Sequence, residues 1–314
     1  MAMLVGLDVL GGDFAPEANV LGAIAAKKEL GDRADICLIG DEYVIREIFE
    51  REGESLHSFE IVHTEEAIEM GEHPTKAFLK KPNSTIALGF KLLQEGKIRA
   101  FSSTGNSGAM LVGAMYTIRT IPGVIRPCIT TALPILNGGV SILLDVGINS
   151  DVKPDVLYQF GILGSVLAEQ IYNIDNPKVG LINIGEEEEK GNLLTQAAHQ
   201  LMKDSKEFNF IGNIEGRDLF NGKADVIVCD GFTGNVILKQ AEALYTLMKK
   251  RNVHDEYFER FNYELYGGTP VLGVNGNVII GHGISNANAV KNMIKLSVDS
   301  AEAQLTQHIR NVFK

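Results

Sequence analysis

Seven times along this chain a short apolar run ends in a turn rich in Gly, Asn and Asp, and a helical pattern follows. The first run is Met3 to Val9, followed by the turn through Glu17 and a helix through Val20 and Ala26. The second is Ile36 to Ile39, before Gly40-Asp41-Glu42. Ala100 to Ser103 leads through Thr104-Gly105-Asn106-Ser107-Gly108 into a helix over Ala109 to Ile118. Val140 to Val146 precedes a helix through Ala168, and Val179 to Ile184 precedes one from Leu193 to Met202. Ala224 to Cys229 leads through Asp230 to Asn235 into a helix from Val236 to Lys250. The last run, Asn277 to Ile280, is followed by Gly281-His282-Gly283 and a helix to the C-terminus. In that helix Val290, Ile294, Val298, Ala301, Leu305, Ile309 and Val312 step by three or four and form one apolar face.

Near-continuous apolar strands alternating with helices predict a largely parallel sheet covered on both sides, an α/β/α sandwich of three layers. Ligands of such sheets bind beyond the carboxyl ends of the strands, where these polar turns fall. The length, 314 residues, suits one large α/β unit or two lobes. We expect a single unit over 1–314 with a charged, less regular excursion at about 239–266.

Composition narrows the choice of function. The 33 glycines against nine prolines imply many places where backbone must turn tightly or approach something closely. Cys37, Cys128 and Cys229 each lie in or beside an apolar run, with no metal-type or redox-type spacing, which fits buried reduced thiols in a cytoplasmic protein. No apolar run reaches the length of a membrane span, and the N-terminal stretch reads as a strand rather than a signal peptide. A net charge of −11 argues against nucleic acid as a partner.

Three turns have the composition of an anion site. Gly105, Asn106, Ser107 and Gly108 combine free backbone N–H groups, hydroxyls and a helix start, without the ending of a Walker A loop. Asp230, Thr233 and Asn235 repeat the pattern, Asn235 either capping the helix or donating to a developing negative charge. Between four acids and Gly191-Asn192 stands Lys190, suited to hold phosphate or an anionic transition state, or simply to neutralise its neighbours. Asp13, near Asp8, and Asp145, near Asn149, can orient a ligand or organise their turns. His282, flanked by glycines, is accessible to a reacting group. A nucleophile elbow, a dinucleotide fingerprint and a cysteine–histidine turn are all absent from the sequence.

Leu10-Gly11-Gly12-Asp13, Gly105-Asn106-Ser107-Gly108-Ala109, Leu143-Leu144-Asp145-Val146-Gly147, Asn183 through Asn192, Asp230-Gly231-Phe232-Thr233-Gly234-Asn235-Val236 and Tyr266-Gly267-Gly268 before Gly281-His282-Gly283 occur in that order. Together they resemble the bacterial phosphate acyltransferase family that acts on acyl carrier protein, over residues 3 to about 313. The resemblance implies a fold similar to phosphotransacetylases and isocitrate-type dehydrogenases, and a cytoplasmic homodimer with peripheral membrane contact. It also implies transfer of a fatty acyl group from the carrier to inorganic phosphate. The product, acyl phosphate, would feed a glycerol-3-phosphate acyltransferase in phospholipid synthesis, with no metal or nucleotide cofactor. In this light Lys190 and Asn235 stabilise charge at the reacting centre, with His282 near the rim. Asp13, Gly105, Asn106, Ser107, Gly108, Asp145, Asn192, Asp230 and Thr233 hold phosphate or substrate.

Relatives carry a longer helical hairpin before Tyr-Gly-Gly, whereas the interval here is short and acidic, with Tyr257, Phe258 and Phe261 forming either an exposed aromatic face or internal packing. An acidic carrier needs a basic patch to dock on, and Lys76, Lys80 and Lys81, or Lys249, Lys250 and Arg251, are the candidates. Three other readings remain: a phosphotransacetylase using acyl-coenzyme A, a non-catalytic anion-binding scaffold of lipid synthesis, and a metal-dependent hydroxyacid dehydrogenase on a similar fold, which would need a divalent metal and a nicotinamide.

Overall fold

A computed structural model describes residues 3–314. In chain order, its first stretch contains β1 (Met3–Asp8), α1 (Glu17–Leu30), β2 (Ala34–Gly40), α2 (Glu42–Glu52), β3 (Phe59–His63), α3 (Pro74–Lys80), α4 (Thr85–Gln94), β4 (Ala100–Ser103) and α5 (Ser107–Gly113). Then come β5 (Cys128–Pro134), β6 (Val140–Leu144), α6 (Pro154–Tyr172), β7 (Lys178–Ile182), α7 (Leu193–Met202), β8 (Asn209–Ile214), β9 (Val226–Val228), α8 (Gly231–Lys250) and α9 (Glu256–Glu259). The chain closes with β10 (Thr269–Leu272), β11 (Asn277–Ile280), α10 (Ala287–Glu302) and α11 (Leu305–Val312). Two compact units result: Met1–Thr120 with Tyr263–Thr306, and Ile121–Asn262 with Gln307–Lys314.

In the first unit the strands are ordered β3-β2-β1-β4-β11-β10, all parallel except β10 against β11. Val5 and Leu7 of β1 pack with Val20 and Ala23 of α1 and with Val290 and Ile294 of α10. On the opposite side of β1 a Cβ at Gly6 would meet Ile98 and Phe101, and Phe101 lies edge-on to Phe90 of α4, 5.2 Å between ring centres. Helices therefore cover both sides, which is why β1 and β4 read as almost unbroken apolar runs.

The second unit orders its strands β5-β6-β9-β7-β8, parallel except for β5 against β6. Leu143, Ile227, Ile214 and Leu133 form one core with Ile237 and Leu238 of α8 packed against it. The other side is closed by α6, where Gly164 sits against Leu144 and Val226. The layered, largely parallel α/β/α architecture expected from the sequence is thus what the chain forms.

Strands β3, β5, β8 and β10 are not among the seven runs picked out from the sequence, and three of the expected elements take a different form. Helix α8 starts at Gly231, five residues before Val236, because the Asp230 carboxylate accepts from Thr233 N and caps it there. Asn235 is accordingly inside the helix and not its cap. The C-terminal helix breaks in two: Gln304 takes φ 49° between α10 and α11, and of the expected apolar face Val290, Ile294, Val298, Leu305 and Ile309 are buried, Ala301 is half-buried and Val312 is exposed. The excursion at about 239–266 is the second half of α8 followed by α9 and a short 3₁₀ turn at Tyr263–Leu265.

Candidate active site

In the first unit, β1, β4 and β11 end in register, so the turns that follow them meet. Asp8 is fully buried there: its carboxylate accepts from Leu10 N, Gly11 N and the Ser103 hydroxyl. Burial pushes this carboxyl above its ordinary value against those hydrogen bonds. Gly105 N donates to Ser103 Oγ, and the Thr104 hydroxyl donates to Gly11 O. Asp13 N donates to Gly283 O, joining the first turn to the one carrying His282, whose ring stands edge-on to Tyr263 at 4.9 Å.

Asn106 caps α5 by accepting from Ala109 N. Its amide nitrogen donates to the carbonyls of Glu69, Met70 and Glu72, so this side chain is occupied in holding the 69–72 loop. Exposed Ser107 and the half-buried backbone of Gly108, which faces Pro74, remain as donors at this helix start. The structure thus brings Asp13, Gly105, Asn106, Ser107, Gly108 and His282 into one group of turns, with Asn106 in a bracing role.

In the second unit β6, β9 and β7 also end together. The turns beyond β7 and β9 enclose a cavity of about 450 Å³ lined by Asn183, Ile184, Asn192, Thr195, Asp230 and Thr233, with Leu157 and Leu181 among its apolar walls. That volume falls in the range of small-molecule sites. Asn192 caps α7 through Thr195 N, and Asp230 binds both Thr233 N and its hydroxyl. Cys229 also lines the cavity, but its thiol donates to Asp145 O at 3.6 Å and burial pushes it well above the ordinary thiol value, so it is no thiolate nucleophile.

Asp145 does not face this cavity. Fully buried, it accepts from Ile129 N, Ile148 N, Asn149 N and the Asn149 amide, and so builds the turn after β6. Of the two roles open to it in the sequence, the geometry selects the organising one. On α8 the Asn235 amide donates to Val146 O at 3.3 Å and lies over Gly147.

Lys190 sits in the loop between Asn183 and Asn192, two residues that line the cavity. Its carbonyl accepts from the Asn183 amide at 3.1 Å, and its stem passes over Gly185. Two of the four neighbouring acids are held by other lysines: Glu186 by Lys223 at 2.6 Å and Glu188 by Lys203 at 2.8 Å. Among the described residues the exposed Lys190 ammonium has no ion pair. Sequence reasoning missed Asn183, Thr195 and Cys229 as lining residues; their only signal was position at strand ends and in a helix's first turn.

The other expected features are placed as follows. Lys81 is tied to Glu72 and to Ala67 O, while Lys76 and Lys80 ride on α3. Lys249 and Lys250 end α8, Lys249 lying over the Tyr245 ring. Tyr257, Phe258 and Phe261 turn inward, and with Phe220, Leu244 and Met248 they line a separate apolar cavity of about 180 Å³. Among the described residues no helix is long and apolar enough to cross a membrane, and no group of His, Cys, Asp and Glu is arranged to hold a metal ion.

Comparison with known proteins identifies the fold and the family. A phosphotransacetylase from Streptococcus pyogenes superposes with a TM-score of 0.67 at 17% identity, over 96% of this chain and 94% of that one, which defines the fold class as that of the phosphotransacetylases. A family described as fatty acid synthesis protein matches residues 3–253 and 246–308. Phosphate acyltransferases from Dictyoglomus turgidum and Pelotomaculum thermopropionicum are 42% and 43% identical to it, each over 98% of this chain and covering 96% and 94% of the relative. The chain belongs to the phosphate acyltransferase family, and it is an acyltransferase that works with phosphate in fatty acid synthesis.

Proposed function

We propose that the acyl donor is acyl-[acyl carrier protein] and the product an acyl phosphate. The observation that carries this reading is a largely apolar cavity with a polar rim, flanked by the loop whose Lys190 ammonium has no ion pair among the described residues. A phosphate oxygen attacks the thioester carbonyl carbon, forming a C–O bond and placing negative charge on the carbonyl oxygen. Collapse of this tetrahedral species breaks the C–S bond, and the carrier leaves as a thiolate that takes a proton from solvent. A thioester is activated enough to need no covalent enzyme intermediate, in keeping with the protonated, buried Cys229.

The work of the site is then to bring the partners together and to set cationic and neutral donors where charge develops. Lys190 supplies the cation. Asn192 and Thr233 supply neutral polar groups at the cavity, and the Asn235 amide a further donor on α8. Ile184 and Leu193, 82% and 86% exposed beside Asn183 and Asn192, offer apolar surface to the chain of a fatty acyl group. In the cell we expect a homodimer whose product feeds a glycerol-3-phosphate acyltransferase.

The test mixes the protein with palmitoyl-[acyl carrier protein], follows free thiol with and without phosphate, and traps acyl phosphate with hydroxylamine. Phosphate-dependent thiol release with matching hydroxamate is expected. Release only from acyl-coenzyme A, with folded carrier present, would move the donor to coenzyme A.

A further inference from the structure

His199 is buried in α7 and belongs to no part of the reaction described above. Its Nδ1 lies 3.0 Å from Asn213 Oδ1. The Asn213 amide nitrogen donates to Glu187 O at 2.8 Å, and since a carbonyl only accepts, the orientation of that amide is fixed. Asn213 therefore turns its oxygen to the imidazole, and Nδ1 of His199 carries the proton. The same Glu187 carbonyl accepts from Lys190 N at 3.1 Å. One oxygen thus joins a donor chain that begins on a buried histidine to the backbone of the lysine at the cavity.

Strand β8 is shaped for this contact. Phe210 stands edge-on to the His199 ring at 5.2 Å, while Asn213 bonds to it. Residues three apart on a regular strand point to opposite faces. Here the register between β7 and β8 shifts after Val179, and Gly212 takes φ 95°, so an extra residue brings both side chains to one ring. Bulges re-aim side chains in this way, and glycine is the residue that adopts such a φ without strain.

We propose that His199 and Asn213 are positioning residues for Lys190, setting the loop through the Glu187 carbonyl. Hydrogen bonds in series polarise one another in a buried setting, so the brace holds the loop more firmly than Asn213 alone. The proposal rests on the reading of Lys190 given above.

A double-mutant cycle in the phosphate-dependent thiol-release assay tests it. His199→Leu should lower kcat about tenfold, the effect of losing one hydrogen bond's worth of positioning, with KM for the acyl donor unchanged. His199→Asn, which can still donate to Asn213, should recover most of that loss. In a Lys190→Ala background, His199→Leu should cost nothing further. Asn213→Ser, a smaller change, gives the same cycle if His199→Leu does not fold. Equal losses in both backgrounds, or wild-type kcat for His199→Leu and Asn213→Ser, would overturn the brace while leaving Lys190 in place. Full turnover by Lys190→Ala alone would instead overturn the reading of Lys190.

Discussion

Lys223 holds the carboxylate of Glu186 at 2.6 Å and so removes from the acidic loop a charge that would otherwise be drawn to Lys190. Lys203 does the same for Glu188. Lysines from outside the loop thus hold two of its four acids, and the lysine within it makes no ion pair among the described residues.

Lys190→Ala should reduce phosphate-dependent turnover roughly a hundred- to a thousandfold, the range for removing a donor that meets transition-state charge. The side chain is exposed and unpaired, so the denaturant midpoint should not move. Turnover and chemical unfolding measured on the same preparation check both statements. A fall in both together would make the residue structural.

Ile184→Ser combined with Leu193→Ser should raise KM for a palmitoyl donor roughly tenfold, as expected when several methylenes lose apolar contact. Donors of two to four carbons should be unaffected, since they do not reach that surface. Measuring kcat/KM over a series of chain lengths separates this from general damage. An equal loss at every length would rule out a role in holding the chain.

Gly234→Ala should destabilise the fold by about 1–3 kcal/mol or more, because the added Cβ would run into the Asp145 carbonyl oxygen. The turn after β6 and the first turns of α8 must approach this closely for Asp145 to serve Asn149 and for Cys229 to reach Asp145 O. Urea unfolding checks the change; an unaltered midpoint would mean that the turn relaxes freely.

Burial raises the Asp8 carboxyl above its ordinary value of 3.8, so the folded protein binds this proton more tightly than the unfolded chain. The stability from that proton is fully present below the ordinary value and is lost as pH rises through the raised one. Asp8→Asn cannot titrate. Relative to the wild type, its unfolding free energy should therefore climb with pH through that window and level off above it. Urea unfolding at a series of pH values reads the slope; parallel profiles would show that Asp8 does not titrate there.

Much of the architecture is legible in the sequence because it depends on local pattern. Apolar runs such as Val140 to Leu144, each bounded by a polar turn and followed by a helical pattern, read as strands covered on both sides, and the chain forms them so. The start of α8 was misplaced because Thr233-Gly234-Asn235 reads as turn, and only the Asp230 cap and the space beside Asp145 make it helix.

The sequence by itself determined the alternation of strand and helix, the family, and which turns hold the candidate polar residues. The tertiary structure alone decided what each of those residues does. Asp145 and Asn106 were open both to ligand binding and to organising their turns until their partners were visible, and those partners lie as far as 37 residues away. Hydrogen bonds and ion pairs form between groups adjacent in space, so four acids around a lysine say nothing of its freedom until Lys203 and Lys223 are seen to hold two of them.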